Sequence, residues 1–174
     1  MSERKVVLYI AMSADGYIAK EDGNLEWLGI VEKPGEDYGY QDFVDTVDTV
    51  IMGRRTYDKV LSFGVPFPHA GRKCYVWSQH RTGTDDNVTY YNGDLKTLIN
   101  ELKNQPGKNI FIDGGAELVH ELMRQHLIDR YIISVIPYFT GGGIRLFKGS
   151  GQETKLQLVR SVQFPTGLVQ LWYE

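Results

Sequence analysis

Apolar residues follow two alternating patterns along this chain. The first is a short continuous run, as at positions 6–12, which is typical of a strand buried on both faces. The second is the i, i+3, i+4, i+7 spacing of Tyr40, Phe43, Val44 and Val47, which predicts a helix over 37–47. Positions 13–36, rich in glycine and acidic residues, are predicted to form a loop. The same alternation predicts further strands at 49–52, 74–77, 88–91, 110–112 and 130–137, and further helices at 54–61, 94–103 and 115–126.

The pattern also assigns faces to two of these helices. In helix 54–61, Tyr57, Val60 and Leu61 are expected to face inward. Asp94 precedes the other helix and is its expected N-cap. The apolar face of helix 94–103 is formed by Leu95, Leu98, Ile99 and Leu102.

The C-terminal part of the chain predicts an antiparallel hairpin. Its two apolar segments, 155–164 and 168–173, are separated only by Pro165, Thr166 and Gly167. Alternating strands and helices followed by a hairpin predict a three-layer α/β fold, with a mainly parallel sheet, helices on both faces and an antiparallel edge. Because the sequence contains no internal repeat and no Pro- or Ser-rich linker, we expect residues 1–174 to form a single domain.

Composition and charge restrict the classes of partner. The 174 residues are 42% hydrophobic and 24% charged, with a net charge of −3, so we expect a globular protein that binds neither nucleic acid nor membrane. The apolar run at 6–12 is too short for a secretory signal or a membrane helix. Cys74 is the only cysteine and cannot form an internal disulfide, which is typical of a reducing compartment. We therefore expect a cytoplasmic protein.

The first candidate for chemistry is the segment Gly53-Arg54-Arg55-Thr56, where a predicted buried strand is followed by a helix. Free backbone N–H groups at a helix start favour an anion, and arginines add charge and forked donors. The segment is therefore a candidate pyrophosphate site. The alternative is a glycine that allows a tight turn, followed by two solvated arginines.

The second candidate is Asp113-Gly114-Gly115-Ala116, again between a predicted strand and a predicted helix. Paired glycines allow a ligand to approach the backbone closely at a helix N-terminus. A purely structural turn is the alternative. The pair does not match the Gly-x-Gly-x-x-Gly pattern of doubly wound dehydrogenases, because that pattern follows the first strand.

Taken together, these segments resemble the dihydrofolate reductase superfamily over nearly the whole chain. The motifs that carry the resemblance are the opening Met12-Ser13-Ala14-Asp15-Gly16-Tyr17-Ile18-Ala19, the segment Met52-Gly53-Arg54-Arg55-Thr56-Tyr57 and the pair Gly114-Gly115. The stretch 136–147 (IPYFTGGGIRLF) is similar to the branch that contains the reductase domain of the bifunctional riboflavin-pathway deaminase–reductase. A dihydrofolate-reductase-like sheet is the fold that this resemblance implies.

The resemblance implies a reductase that uses NADPH, with its cofactor contacts at matching positions. Gly53, Arg54 and Thr56 would bind the cofactor phosphates. The pyrophosphate and nicotinamide side would be lined by Gly114, Gly115, Ala116, Glu117 and Leu118. Ala11 and Ile18 would contact the nicotinamide ring. Ser78, and with it Arg81, would lie near the adenosine 2′-phosphate. Arg81 is displaced from the usual position, which leaves NADH open as an alternative to NADPH.

The resemblance also implies a small-molecule substrate and a homodimer. The function it favours is reduction of 5-amino-6-(5-phosphoribosylamino)uracil in riboflavin biosynthesis. Two alternatives remain open: dihydrofolate reduction, and a non-catalytic nucleotide-binding protein of the same fold. An apolar C-terminal hairpin supports the dimer, since a long edge strand tends to be covered.

Two acids are candidate catalytic residues, because reduction of an imine-type carbon needs a proton source and a group that orients an amino-bearing ring. Asp37 stands about where folate reductases place their orienting acid, and its alternative role is to cap a helix. Asp113 ends a strand where folate reductases carry an apolar residue. Asp113 is expected to contact a polar substrate or, alternatively, to cap the following helix. Asp15 is interpreted as a loop-fixing residue, and Trp27 as either a lid over the site or a core anchor.

Other chemistries have weaker support in the sequence. The four histidines, His69, His80, His120 and His126, lack metal-ligand spacing with Cys74 or with one another. Neither a Gly-x-Ser-x-Gly elbow nor a phosphate-binding Gly-x-x-x-x-Gly-Lys-Ser/Thr loop is present. We therefore expect no metal site and no hydrolase chemistry.

Overall fold

The structure is a computed structural model that describes residues 3–149 and 151–174. Its strands are β1 (Val6–Ser13), β2 (Tyr17–Ala19), β3 (Val47–Gly53), β4 (Lys73–Trp77), β5 (Thr89–Tyr91), β6 (Asn109–Gly114), β7 (Arg130–Ile136), β8 (Ile144–Arg145), β9 (Leu158–Gln163) and β10 (Val169–Tyr173). Its α-helices are α1 (Tyr40–Val44), α2 (Arg54–Ser62), α3 (Leu95–Lys103) and α4 (Ala116–Arg124), and a 3₁₀ helix spans Glu26–Val31.

Within the described residues, eight strands form one sheet in the order β5-β4-β3-β6-β1-β7-β10-β9. The pairs from β5 to β7 are parallel, whereas β10 is antiparallel to both β7 and β9. The predicted mainly parallel sheet and C-terminal hairpin are therefore confirmed. The parallel arrangement brings the ends of β3, β4 and β6 to one edge, which is where ligands bind in open α/β sheets.

Helices cover both faces of this sheet, as predicted. One apolar cluster joins α3 and α4 to the sheet, through Leu98, Ile99, Leu118, Leu122, Leu8 and Ile112 among others. The other joins α1 and α2 to the opposite face, through Phe43, Val44, Tyr57, Val7, Val50 and Phe111 among others. The predicted cap of α3 is also confirmed, because the Asp94 side chain accepts a hydrogen bond from the Thr97 N–H.

Three predictions about local structure are wrong. The segment 13–36 is not a simple loop, because it contains β2, which pairs with β8, and the 3₁₀ helix. The helix predicted over 37–47 spans only Tyr40–Val44, and Val47 belongs to β3, where it pairs with Asn109. Leu61 is 48% exposed instead of facing inward, because packing over α2 does not reach its last turn. The spacing of apolar residues along the chain does not show which segments pair or pack together in the folded protein.

No helix in the described part of the chain is long and apolar enough to cross a membrane.

Candidate functional site

Two glycine turns meet at the edge of the sheet where β3 and β6 end. A methyl group placed on Gly53 would lie 3.4 Å from the Gly115 nitrogen, and one placed on Gly115 would lie 3.2 Å from the Thr56 Oγ1 atom. Gly114 has a φ of +100°, which side-chain-bearing residues rarely adopt, and its peptide bond to Gly115 is cis. The two candidate segments of the sequence therefore lie against each other and form one surface at this edge of the sheet.

Two helices begin at this surface, and each has a glycine at its N-cap. Gly53 precedes α2 and Gly115 precedes α4, and no side chain among the described residues caps either helix start. The first N–H groups of both helices are thus left without an intrahelical or side-chain acceptor. Two such N-termini side by side provide donors and partial positive charge for one anion. We call this pair of helix starts the cradle, and its set of backbone donors has the chemistry that a dinucleotide pyrophosphate requires.

Beside this cradle, two arginines share a single carboxylate. Arg81 donates to Asp58 with both guanidinium nitrogens, at 2.8 and 3.0 Å, and Arg54 lies 3.4 Å from the same carboxylate. All three side chains are about 40% exposed. The hydroxyl of Ser78 accepts from the backbone N–H groups of His80 and Arg81, so it holds the turn that follows β4. Arg54, Ser78 and Arg81, which were predicted to contact phosphates, are thus brought to one region.

Asp113 does not cap α4, so the capping alternative is wrong. Its carboxylate Oδ2 lies 3.1 Å from the Nε2 atom of His69, whose side chain is 1% exposed, whereas the Asp113 side chain is 24% exposed. The His69 ring packs against the edges of Phe67 and Phe111. Sequence reasoning did not find His69, because it lies 44 positions before Asp113 in a segment without any motif.

An aromatic cluster lies on the α1 side of the sheet, and one of its members, Tyr40, is within range of the Asp113 charge. Tyr9 stacks on Phe43, with ring centroids 4.4 Å apart, and meets Tyr40 edge-on at 5.7 Å. Burial, together with the nearby Asp113 charge, raises the pKa of Tyr40 to about 12. Tyr40 therefore remains a protonated phenol at neutral pH, and its hydroxyl can donate a hydrogen bond next to the Asp113 carboxylate.

Tyr40 also lines an open cavity of about 710 Å³, together with Val31, Glu32, Lys33, Pro34, Glu36, Asp37 and Tyr38. The Asp37 carboxylate accepts from the N–H groups of Gly39 and Gln41, at 2.9 and 3.0 Å, which are the contacts of its capping alternative. These hydrogen bonds hold the pKa of Asp37 below its usual value. Asp37 thus faces the cavity wall while it stabilises the start of α1.

The remaining residues that were predicted to contact the cofactor differ in their solvent exposure. Leu118 is 1% exposed and Ala116 is 6% exposed, so a ligand could reach only their backbone at the start of α4. Glu117 is exposed and forms an ion pair with Lys148, which lowers its pKa. Ala11 lies at the carboxyl-end half of β1, and Ile18 lies in β2.

The two loop residues singled out in the sequence have structural contacts. Asp15 accepts hydrogen bonds from Ser13, Thr140 and Gly141 and therefore joins the loop after β1 to the loop after β7, as interpreted. Trp27 is 4% exposed. It stacks on Tyr138, with centroids 6.1 Å apart, and so acts as a core anchor in this structure.

Comparison with known proteins identifies relatives of the whole chain. The sequence profile of the RibD C-terminal domain matches residues 73–170. The uncharacterized protein YwjB of Bacillus subtilis (strain 168) is 48% identical over 172 residues, covering 98% of each chain. A crystal structure from Shewanella sp. PV-4, of a protein named for riboflavin biosynthesis, has a TM-score of 0.89 and 32% identity, covering 97% of each chain.

A more distant similarity extends to a larger enzyme. It is the diaminohydroxyphosphoribosylaminopyrimidine deaminase/5-amino-6-(5-phosphoribosylamino)uracil reductase of Thermotoga maritima, with a TM-score of 0.72 and 14% identity. The match covers 98% of this chain and 56% of the Thermotoga protein. At this identity the similarity is one of fold.

Proposed function

Since the chain belongs to the RibD C-terminal domain family, we propose that it is an NADPH-dependent reductase of a small aminopyrimidine-like molecule. The closest activity in kind is that of a 5-amino-6-(5-phosphoribosylamino)uracil reductase. The observation that carries this proposal is the pair of helix N-termini that meet at Gly53 and Gly115. Bound NADPH would supply a hydride, and the chain itself would bind, orient and protonate.

The cofactor would be held by backbone donors and by charge. The free N–H groups at the starts of α2 and α4 would bind the pyrophosphate, and Arg54 would add a charge-assisted hydrogen bond. Arg81 and Ser78 lie on the same side as Arg54, because Asp58 joins the two arginines. We propose this region for the adenosine 2′-phosphate.

The substrate would lie beside Asp113, near the aromatic cluster of Tyr9, Tyr40 and Phe43. In the proposed reaction, the ring-opened sugar carbon, as an imine, gains the hydride, and its nitrogen gains a proton, while NADPH becomes NADP⁺. The product is the saturated ribitylamine. Asp113 would accept hydrogen bonds from amino or hydroxyl groups of the substrate, and Tyr40 would be a neutral donor next to it.

Dihydrofolate reduction is the second candidate, and it is supported by the place of Asp37 on the wall of the 710 Å³ cavity. Its weakness is that both oxygens of this carboxylate already accept from the backbone at the start of α1. These two bonds occupy half of the roughly four acceptor positions of the carboxylate and tie its orientation to the start of α1. For this reason we favour Asp113 over Asp37 as the substrate-binding acid.

The proposal is tested by NADPH titration and a substrate panel. Arg54→Ala removes a charge-assisted contact and should weaken NADPH binding by about 1.5–3 kcal/mol. Arg124→Ala is the matched control, because Arg124 pairs with Glu121 in the last turn of α4, away from the glycine turns. Oxidation of NADPH is then followed with dihydrofolate, dihydrobiopterin and 5-amino-6-(5-phosphoribosylamino)uracil.

Turnover of the phosphoribosylamino-uracil is the expected result. Turnover of dihydrofolate alone would favour the second candidate. Tight NADPH binding without turnover of any of the three would support a non-catalytic nucleotide-binding protein. An NADPH affinity that Arg54→Ala leaves unchanged would remove the proposed phosphate site.

A further inference from the structure

The contact between Asp113 and His69 joins a partly exposed acid to a buried imidazole. The His69 side chain is 1% exposed, and its Nε2 atom lies 3.1 Å from the Asp113 Oδ2 atom. Phe67 and Phe111 meet the imidazole edge-on, with centroids 5.8 and 5.6 Å away. The main-chain carbonyl of His69 accepts from the Cys74 thiol. The ring is therefore fixed in an apolar pocket behind the carboxylate.

The second ring nitrogen of His69 determines where the protons lie. Its Nδ1 atom is buried, and no described residue offers it a hydrogen-bond partner. A buried N–H donor without an acceptor is costly, whereas a bare nitrogen lone pair costs less. The ring therefore carries its proton on Nε2 and leaves Nδ1 bare. With that tautomer, Nε2–H donates to the Oδ2 atom of the Asp113 carboxyl group.

Two other polar groups, Tyr40 and Cys74, lie within range of the Asp113 side chain. The Asp113 charge adds to burial in raising the pKa of Tyr40 to about 12 and that of Cys74 to about 11. Arg72 acts on both groups in the opposite direction and donates to the Val44 carbonyl. Both the phenol and the thiol therefore stay neutral beside the acid.

We propose that His69 is a positioning residue, which fixes the orientation of the Asp113 carboxylate so that the site selects substrates that present N–H or O–H donors to it. The inference rests on the proposed function and makes it more specific. The substrate class is an amino- or polyhydroxyl-bearing molecule. A flat ring without donors on that side is disfavoured, because it would leave the second carboxylate oxygen, Oδ1, without a donor.

The tautomer of the His69 imidazole can be measured on the free protein without any substrate. Nitrogen-15 NMR of the imidazoles at neutral pH distinguishes the two neutral tautomers from the doubly protonated ring, and His69→Gln assigns the resonance. We expect Nε2 to carry the proton and Nδ1 to be bare. A proton on Nδ1, in either the other tautomer or the imidazolium, would overturn the inference even if the protein is an active reductase.

Kinetics then separate positioning from mere packing. His69→Gln keeps a donor that can occupy the place of Nε2, whereas His69→Phe keeps an aromatic ring and removes the donor. His69→Phe should raise KM for 5-amino-6-(5-phosphoribosylamino)uracil by about tenfold to a hundredfold, with the Kd for NADPH unchanged. His69→Gln should stay within a few fold of wild type, and Asp113→Asn should match His69→Phe.

The matched control is His126→Asn, an exposed histidine with a φ of +55°, a conformation that asparagine tolerates. Equal KM values for His69→Phe and wild type would overturn the inference. So would equal losses in His69→Gln and His69→Phe that follow the melting temperature, since these would indicate packing alone. If the wild type reduces no substrate, the proposed function fails, and the tautomer still decides the role of His69.

Discussion

Asp58 illustrates how one carboxylate can set the charge of a binding site. It accepts two hydrogen bonds from Arg81, and Arg54 lies 3.4 Å away on its own helix. These contacts raise the pKa of Arg81 above its usual value. Two cations and one anion leave a net charge of about +1 where a 2′-phosphate would bind, so Asp58 competes with the phosphate for the same donors.

We therefore predict that Asp58→Asn increases the preference for NADPH over NADH. Because these side chains are largely exposed and solvent screens their charges, the expected change in the ratio of the two Kd values is roughly two- to fivefold. Asp42→Asn, at an exposed position in α1, serves as the control. An unchanged ratio would show that the 2′-phosphate does not meet this cluster.

Arg4 shows a different use of charge, in the core. Its side chain is 5% exposed and donates to the Leu102 and Lys108 carbonyls, to Thr49 Oγ1 and to Asp48. Burial raises the pKa of Asp48, but the hydrogen bonds from the Lys108 N–H, Thr49 and Arg4 outweigh it and hold that pKa below its usual value. Arg4, just before β1, thereby connects β3, α3 and the residue that precedes β6.

The depressed pKa of Asp48 gives a sign to the pH dependence of stability. Its contribution is fully present above the unfolded pKa of about 4 and is lost as the pH falls through the folded value. Because the Asp48 side chain is 40% exposed, solvent screens part of this effect, and Asp48→Asn should lower the free energy of unfolding by about 0.5–1 kcal/mol at pH 7. The difference from wild type should shrink below about pH 4. Urea unfolding across this range measures both quantities, with exposed Asp86→Asn as the control. A pH-independent difference would contradict the assignment.

At the scale of elements, the glycine turns before α2 and α4 separate binding from stability. Gly53 has a φ of −75°, which alanine adopts readily, so Gly53→Ala restricts the unfolded chain without strain in the fold. The added methyl group would nevertheless lie in the cradle, 3.4 Å from the Gly115 nitrogen.

We predict that Gly53→Ala weakens NADPH binding by about tenfold or more, a loss of about 1.4 kcal/mol, while the melting temperature stays equal or rises slightly. Titration and a thermal melt on the same sample test this. Gly29→Ala is the control, since a methyl group there meets no atom within 4 Å. Loss of stability in parallel with loss of binding would mean that Gly53 is required by the fold instead of by the ligand.

At the scale of the whole molecule, the sheet ends in a strand that is open on one side. β9 pairs only with β10 among the described strands, and its Leu158 and Val159 are 53% and 50% exposed. Unpaired backbone groups next to exposed apolar side chains favour pairing with another chain. We propose that a second copy covers this edge, which makes the protein a homodimer.

Sedimentation at micromolar concentration should therefore give twice the 19.8 kDa mass of the chain. Leu158→Lys should shift the protein toward monomer. Leu61→Lys should not, although Leu61 is similarly exposed at 48%. A monomeric wild type would refute the dimer, and dissociation by Leu61→Lys alone would place the interface on α2.

The sequence by itself determined the layers of the fold and the edge that carries the cradle. Runs such as 6–12 and spacings such as that of Leu95, Leu98, Ile99 and Leu102 report which positions must leave water. Burial of these positions depends mainly on the local pattern of apolar residues, so the predicted strands and helices are found in the structure. Parallel strands have their carboxyl ends at the same edge of a sheet. Because Gly53 and Gly115 each follow a predicted strand, the sequence predicts that both lie at that edge.

Only the tertiary structure decided which polar side chains meet. His69 contacts Asp113 across 44 positions, and Asp58 contacts Arg81 across 23. Val47 has helical spacing in the sequence but lies in β3, because it pairs there with Asn109 of β6. Polar contacts depend on distance and orientation in space, and no periodicity along the chain encodes them. For that reason the sequence predicted candidate site residues, and the folded chain was needed to show which polar side chains contact one another, as His69 contacts Asp113.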